Sequence, residues 1–302
     1  MFLREILLTI VVWIGTPTVG AAEPATPLPT FACHGQMVQA GLLLCSAPAG
    51  ATLIVSGPNG EAKRLVPVNA DGLATVGLLR TETLDLTIAV QDQDLPPQHM
   101  TLTERNDPFR TIEGMDCDKV DARTPEQIEH AGQSWVKKRD AFKTFSSGPG
   151  ASAGFGLPAD GPMSSPYGPA RKYIGVGKDG ASCEKTSVHY GYDMAVPIGT
   201  PITAPAGGTV ILGDEDLYYE GGTVFLDHGE GLVSVFMHMS EVDVTPGQVV
   251  EIGERLGASG NTGRTTGPHL HWAVKWRNPG SDDRSRDFYI DPALLLELAP
   301  SQ

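Results

Sequence analysis

Positive charge is scarce in this 302-residue chain: 22 Lys and Arg stand against 36 Asp and Glu, a formal net charge of −14. Such a surface repels nucleic acid and anionic lipid, which excludes both as partners and leaves neutral, basic or metal-bearing ones. Long apolar runs are also missing. The one at the N-terminus, Ile6 to Gly15, is shorter than the ~20 residues a bilayer span requires. With Arg4 ahead of it and the small residues Val19-Gly20-Ala21-Ala22 behind it, residues 1–22 read as a secretory signal peptide. The expected location is therefore exported, in the periplasm, with no stable membrane span after cleavage. Cysteine is limited to Cys33, Cys45, Cys117 and Cys183, with no C-x-x-C pair, so a thiolate zinc site is excluded. An even count in an exported chain favours disulfides. Cys33 with Cys45 and Cys117 with Cys183 is the expected pairing, although four cysteines allow three connectivities. There is no H-E-x-x-H, which removes the helical zincin arrangement.

The remaining sequence is mainly β in pattern. After a proline-rich lead-in, EPATPLPT, the runs ATLIVSG, LATVGLL and LDLTIAV are separated by the turn signals P-N-G, A-D-G and D-Q-D. Residues 23–112 thus read as a β-sandwich-like accessory domain behind that lead-in. Its His34 and His99 stand alone and read as surface residues. A linker over 113–153 carries an amphipathic helix, with Thr124 as cap, Pro125 at the first helical position and Gln127 completing a capping box. Ile128, Ala131, Trp135, Phe142 and Phe145 form its apolar stripe, His130 lies off it, and SSGPG ends it. Residues 154–302 read as a compact antiparallel sheet or barrel-like domain, with strand runs TPITA, GTVIL, GTVFLDHG, LVSVFMHM and GPHLHWAVKW.

Chemistry concentrates in this last unit. HYGYD supplies His189 and Asp193, FMHM supplies His238, and HLH supplies His269 and His271. On a strand, residues two or four apart share a face, so each pair can line one site while Leu270, Trp272 and Val274 turn into apolar packing. Two imidazoles and a carboxylate suit Zn²⁺ and leave a fourth position open. Taken singly, each histidine also fits a hydrogen-bonded structural role, and neither H-x-x-x-D nor H-x-H decides between the two.

The order of motifs over about 110 residues, H-x-G-x-D, then D-H-G, then aromatic-x-H, then T-G-P-H-L-H, resembles the zinc metallopeptidases of family M23, the LytM or lysostaphin-type endopeptidases. The resemblance implies that His189, Asp193 and His271 bind Zn²⁺ and that His238 and His269 are catalytic without being ligands. It implies hydrolysis of peptide bonds in peptidoglycan, with His238 and His269 orienting water and stabilising the oxyanion. Two positions depart from the pattern: Phe236 stands where Tyr is frequent, and Ala273 where Glu is frequent. Either change touches substrate choice or tuning of the site rather than the ligands. His228 in LDHG reads as structural, with Asp227 and Gly229 shaping a turn. The glycines of GASGNTGRTTG read as permitting tight backbone beneath the site, and Arg264 as a solvated loop charge or a contact for a substrate carboxylate. The segment FGLPADGPMSSPYGPARKY, with its G-x-x-R character, leads toward the first ligand. Alternatives are a non-enzymatic or autoinhibited regulator that binds a cell-wall amidase or scaffold, and a glycyl-glycine endopeptidase. The accessory domain would bind a cell-wall protein, position the enzyme on the wall or cover the cleft.

Overall fold

The computed structural model describes residues 31–298; the expected signal peptide (1–22) and the lead-in from 23 to 30 lie outside the described residues. The N-terminal part contains β1 (Ala32–Gly35), β2 (Leu42–Ser46), β3 (Thr52–Ser56), β4 (Ala62–Pro67), β5 (Leu73–Gly77), β6 (Asp85–Val90) and β7 (Gln98–Thr101). They form two antiparallel sheets, ordered β1-β2-β5 and β4-β3-β6-β7. One-sided burial explains the alternation in β3 and β6, where Leu53, Val55, Leu86, Ile88 and Val90 turn inward. His34 and His99 lie on β1 and β7, and both are exposed as expected. Cys33 and Cys45 are direct partners across β1 and β2 and form a disulfide.

β8 (Phe109–Asp116) leads into α1 (Cys117–Val120) and α2 (Pro125–Ala141). The capping box on α2 is present as expected: Thr124 accepts from the Gln127 N–H, and the Gln127 side chain accepts from the Thr124 N–H. The expected packing face is not. Ile128 and Trp135 are 56% and 57% exposed and Phe145 is 42% exposed, while Ser134 and Ala141 are the buried residues of the helix. The cause is the surface beneath it, a strand rim of carboxylates and free backbone groups that polar side chains satisfy better than apolar ones. His130 Nε2 meets the Asp216 carbonyl at 2.8 Å, and Tyr218 N–H donates to Ser134 Oγ at 3.0 Å. Lys137 pairs with Asp214 at 2.6 Å and Lys138 with Glu220. Only past the helix does an aromatic dock: Phe142 stacks on Phe225 with centroids 4.6 Å apart.

The C-terminal part comprises β9 (Met163–Ser165), β10 (Ala170–Val176), β11 (Ser182–Val188), β12 (Tyr192–Met194), β13 (Pro201–Thr203), β14 (Gly208–Leu217), β15 (Gly221–Asp227), β16 (Leu232–Val242), β17 (Val249–Val250), β18 (Arg255–Ser259), β19 (Leu270–Trp276) and β20 (Phe288–Ile290), then α3 (Pro292–Leu295). Ten of these strands form one antiparallel sheet with the main order β17-β14-β15-β16-β19-β12-β9. It is open rather than a closed barrel. β10 pairs antiparallel with β11 and parallel with β8, so β8, which contains the expected boundary at residue 113, joins this half. Cys117 and Cys183 form the second disulfide, fastening α1 to β11.

The two halves share one apolar core. Trp276 on β19 lies so close to β5 that a Cβ on Gly77 would meet its ring at 2.6 Å, and its Nε1 donates to Thr75 O at 3.1 Å. Arg105 pairs with Asp291 at 2.9 Å. Arg277 and Asp227 form a fully buried ion pair at 2.9 Å, and Arg277 also donates to the carbonyls of Phe142 and Thr144. Asp227 also accepts from the N–H groups of Ser146 and Gly229, and such bonds offset the cost of burying the pair. Among the described residues no helix is long and apolar enough to cross a membrane.

His228 shows how the sheet is locked. Its Nδ1 lies 2.8 Å from Gly207 O and its Nε2 lies 2.8 Å from Ser234 Oγ, which accepts from Trp272 Nε1 at 3.1 Å. This chain of donors assigns the proton to Nδ1, and burial pushes the ring's pKa down to about 4 against the opposing pull of Asp227. The folded state therefore holds the ring neutral, whereas the unfolded chain takes up a proton near pH 6.5. Its contribution is complete above pH 6.5 and is lost as pH falls toward 4, about 3 kcal/mol in all. Urea unfolding between pH 7 and 4.5 will show that His228→Gln reduces the pH slope of stability by close to one proton.

Candidate metal centre

Asp193 on β12 and His271 on β19 are direct antiparallel partners, and Asp193 Oδ1 lies 2.7 Å from His271 Nδ1. His189 arrives differently from the expectation of one shared strand. β11 ends at Val188, the chain bends through residues 189–191, and His189 Nε2 reaches 3.0 Å from Asp193 Oδ1 and 3.2 Å from His271 Nδ1. Gly191 makes the bend possible: a Cβ there would stand 2.4 Å from both Cε1 and Nε2 of His271. The glycine of H-x-G-x-D therefore lets backbone lie against an imidazole.

Protonation follows from the partners. His189 Nδ1 lies 2.8 Å from Pro166 O, so it carries the ring proton and Nε2 presents a lone pair. Burial lowers His271 and disfavours its charged form. His189 Nε2, Asp193 Oδ1 and His271 Nδ1 thus converge at 2.7–3.2 Å, and a cation between them would satisfy all three. The donor atoms of all three residues lie within 4.8 Å of one another. Their spacing is close to the ~3.3 Å edge of a tetrahedron with bonds of about 2.0–2.1 Å, and two nitrogens with one carboxylate oxygen fit Zn²⁺. The second oxygen, Asp193 Oδ2, lies 3.3 Å from Arg171, which also donates to Ser165 Oγ at 2.6 Å. The G-x-x-R pattern marked this arginine in the sequence without assigning it a task.

His238 and His269 stand beside the three, with ring centroids 4.8 Å apart. Strict alternation along β16 would turn His238 away from Met237, the partner of His271. A bulge prevents this. Phe236 pairs with Val224 and Met239 with Gly222, so β16 has one extra residue, and His238 takes a left-handed φ of 64°. His238 Nδ1 lies 2.9 Å from Thr262 O, and His269 Nδ1 lies 2.8 Å from Gly267 O. Both rings therefore keep Nε2 as an acceptor. Burial and the neighbouring His271 and His269 push His238 down to about 3. The loop glycines fit beneath: a Cβ on Gly260 would meet Ser240 N at 2.5 Å and His238 O at 2.6 Å.

These groups line a cleft of about 350 Å³. Ile112 and Met115 of β8 form part of its wall, a contribution that no motif indicated. Phe236 is fully buried in the apolar core and is not among the residues that line the cleft. Ala273 does line it.

The family model for peptidase family M23 matches residues 187–283. The chain carries a peptidase family M23 domain. An uncharacterized metalloprotease of Haemophilus influenzae is 42% identical over 113 residues, 36% of this chain and 22% of that protein. The peptidoglycan DD-endopeptidase ShyA of Vibrio cholerae is 42% identical over 91 residues, 30% of this chain and 21% of that protein. The matched region thus spans about a fifth of each of these relatives. A crystal structure of a Pseudomonas aeruginosa protein described as an M23 peptidase is 27% identical, with a TM-score of 0.57 over 89% of this chain and 97% of that one. The likeness to that structure thus extends beyond the residues that the family model matches.

Gly191 offers a direct test of the centre. Its backbone is not left-handed, so the penalty for an added methyl is the collision with His271. Gly191→Ala will weaken Zn²⁺ binding by roughly 10–100-fold, the range expected when a ligand's orientation is disturbed, as measured by competition with a chromophoric chelator.

Proposed function

We propose that this protein is an exported zinc endopeptidase of the periplasm that cuts peptide bonds in peptidoglycan stem peptides or cross-links. The observation that carries the reading is the convergence of His189 Nε2, Asp193 Oδ1 and His271 Nδ1 in a cleft that also holds His238 and His269. His189, Asp193 and His271 hold the metal, and Arg171 occupies the carboxylate oxygen that does not face it. When bound, zinc supplies Lewis acidity that polarises a carbonyl and lowers the pKa of water to about 7.

His238 and His269 have separate tasks from the ligands. With Nδ1–H directed at the carbonyls of Thr262 and Gly267, each ring can only accept at Nε2 while neutral. They therefore orient the O–H of the attacking water first. A ring that has taken its proton becomes a donor at Nε2, and only then stabilises the oxyanion or protonates the leaving amine. Burial pushes His238 down to about 3, which suits it to orienting water rather than taking up a proton. Two disulfides support an exported location, and the sandwich of β1 to β7 belongs to this proposal as an accessory layer that meets a cell-wall protein.

Digestion of purified peptidoglycan tests the reading. The zinc-loaded protein will release new amine ends, and chelation or His271→Ala will reduce release to background. Fragment masses will identify the bond, and pentaglycine left intact beside digested cross-links will separate this activity from a glycyl-glycine endopeptidase.

A further inference from the structure

Arg264 lines the same cleft as His238 and His269. Its guanidinium lies 4.9 Å from the Tyr219 ring centroid and 5.9 Å from that of Tyr173, and NH1 donates to Val120 O at 3.3 Å. The other cleft arginine, Arg171, is paired with Asp193. Among the described residues Arg264 has no carboxylate partner, although the chain carries 36 Asp and Glu. The nearby acids are engaged elsewhere: Glu220 pairs with Lys138, and Asp121 accepts from Tyr219 Oη at 2.6 Å and pairs with Lys185 at 3.2 Å.

An arginine in an acidic protein that is braced by two aromatic rings and lacks an anion is preorganised for one. The rings fix the guanidinium plane and reduce the rotamer entropy lost on binding, while the N–H groups not used by Val120 remain available for a planar carboxylate. The metal-side acceptors repel such a group, so the cleft is polarised, with anion-binding capacity at one end and cation-binding capacity at the other.

We infer that Arg264, held between Tyr173 and Tyr219, is a carboxylate-binding subsite, and that the peptide taken by this cleft is acidic and is aligned by that carboxylate. The inference rests on the peptidase reading and names the chemistry of its substrate. Arg264 acts here as a specificity residue, away from the reacting atoms.

The test uses the full zinc-loaded chain and two cross-linked peptides that are identical except that one bears free carboxylates and the other carboxamides. Reduced-bond isosteres of both, which cannot be cleaved, give affinities by calorimetry, and the cleavable forms give kcat/KM. The protein will bind the acid roughly 10–100-fold more tightly than the amide, as expected for a charge-assisted pair. High salt will shrink the preference. Arg264→Gln will abolish the preference and Arg264→Lys will keep part of it, with Zn²⁺ content unchanged. Equal binding of acid and amide by the unsubstituted protein, or a preference that survives Arg264→Gln, overturns the inference. So does an equal loss for both peptides accompanied by a lower Tm, because Arg264 would then be only a latch on Val120. Cleavage of neither peptide while the binding preference holds would reject the peptidase reading and leave the subsite standing.

Discussion

Everything at the centre depends on one register: Asp193 opposite His271 on β12 and β19. Antiparallel partners share a face, so this pairing sets a carboxylate against an imidazole without help from any loop. A slip of one residue would bring Met194 or Tyr192 opposite His271 and turn the carboxylate to the other side. What prevents the slip is the apolar half of the same strand. Leu270, Trp272, Val274 and Trp276 are all fully buried, and no shifted register can keep them so.

The second requirement is that three of the imidazoles each present a lone pair on a chosen nitrogen, and the structure meets it by directing the other nitrogen at a backbone carbonyl. Backbone carbonyls of Pro166, Thr262 and Gly267 take the Nδ1 protons of His189, His238 and His269. The outcome differs for each ring because the other nitrogen faces something different. For His189 it faces Asp193 Oδ1, an arrangement satisfied by a cation, while His238 lies in the cleft with the ring of His269 beside it. The same physical device, a carbonyl on Nδ1, thus leaves the Nε2 of each of these rings as an acceptor.

Much of this was legible in the sequence, for identifiable reasons. The alternation of GPHLHWAVKW reports a strand buried on one side, and the cysteine pairs follow from proximity along β1 and β2 and from the approach of α1 to β11. The α2 face was misread because periodicity records where apolar residues lie, not what they meet. The rim offered by Asp214, Asp216 and Glu220 selects the polar side of the helix. Nor does the sequence of β16 announce the bulge at His238. Its only trace is Gly222 across the ladder, where a Cβ would strike Met239 O at 2.3 Å. Arg171 and the β8 wall depend on long-range pairing and carry no local signal of their task.

The N-terminal sheets gain a role from this arrangement beyond any partner they meet. Trp276 is the last residue of β19, and the ring pressed on Gly77 and bonded to Thr75 sits on the same strand as His271, five residues away. Burial against β5 therefore restrains the strand that supplies a donor of the centre. From the other direction, the buried Arg277–Asp227 pair gathers the chain at Phe142 and Thr144 onto the end of β15. The accessory layer and the connecting segment thus grip the far end of β19 from opposite sides, and removing either exposes Trp276 or strands a buried charge. The N-terminal half therefore packs against the strand that carries His271.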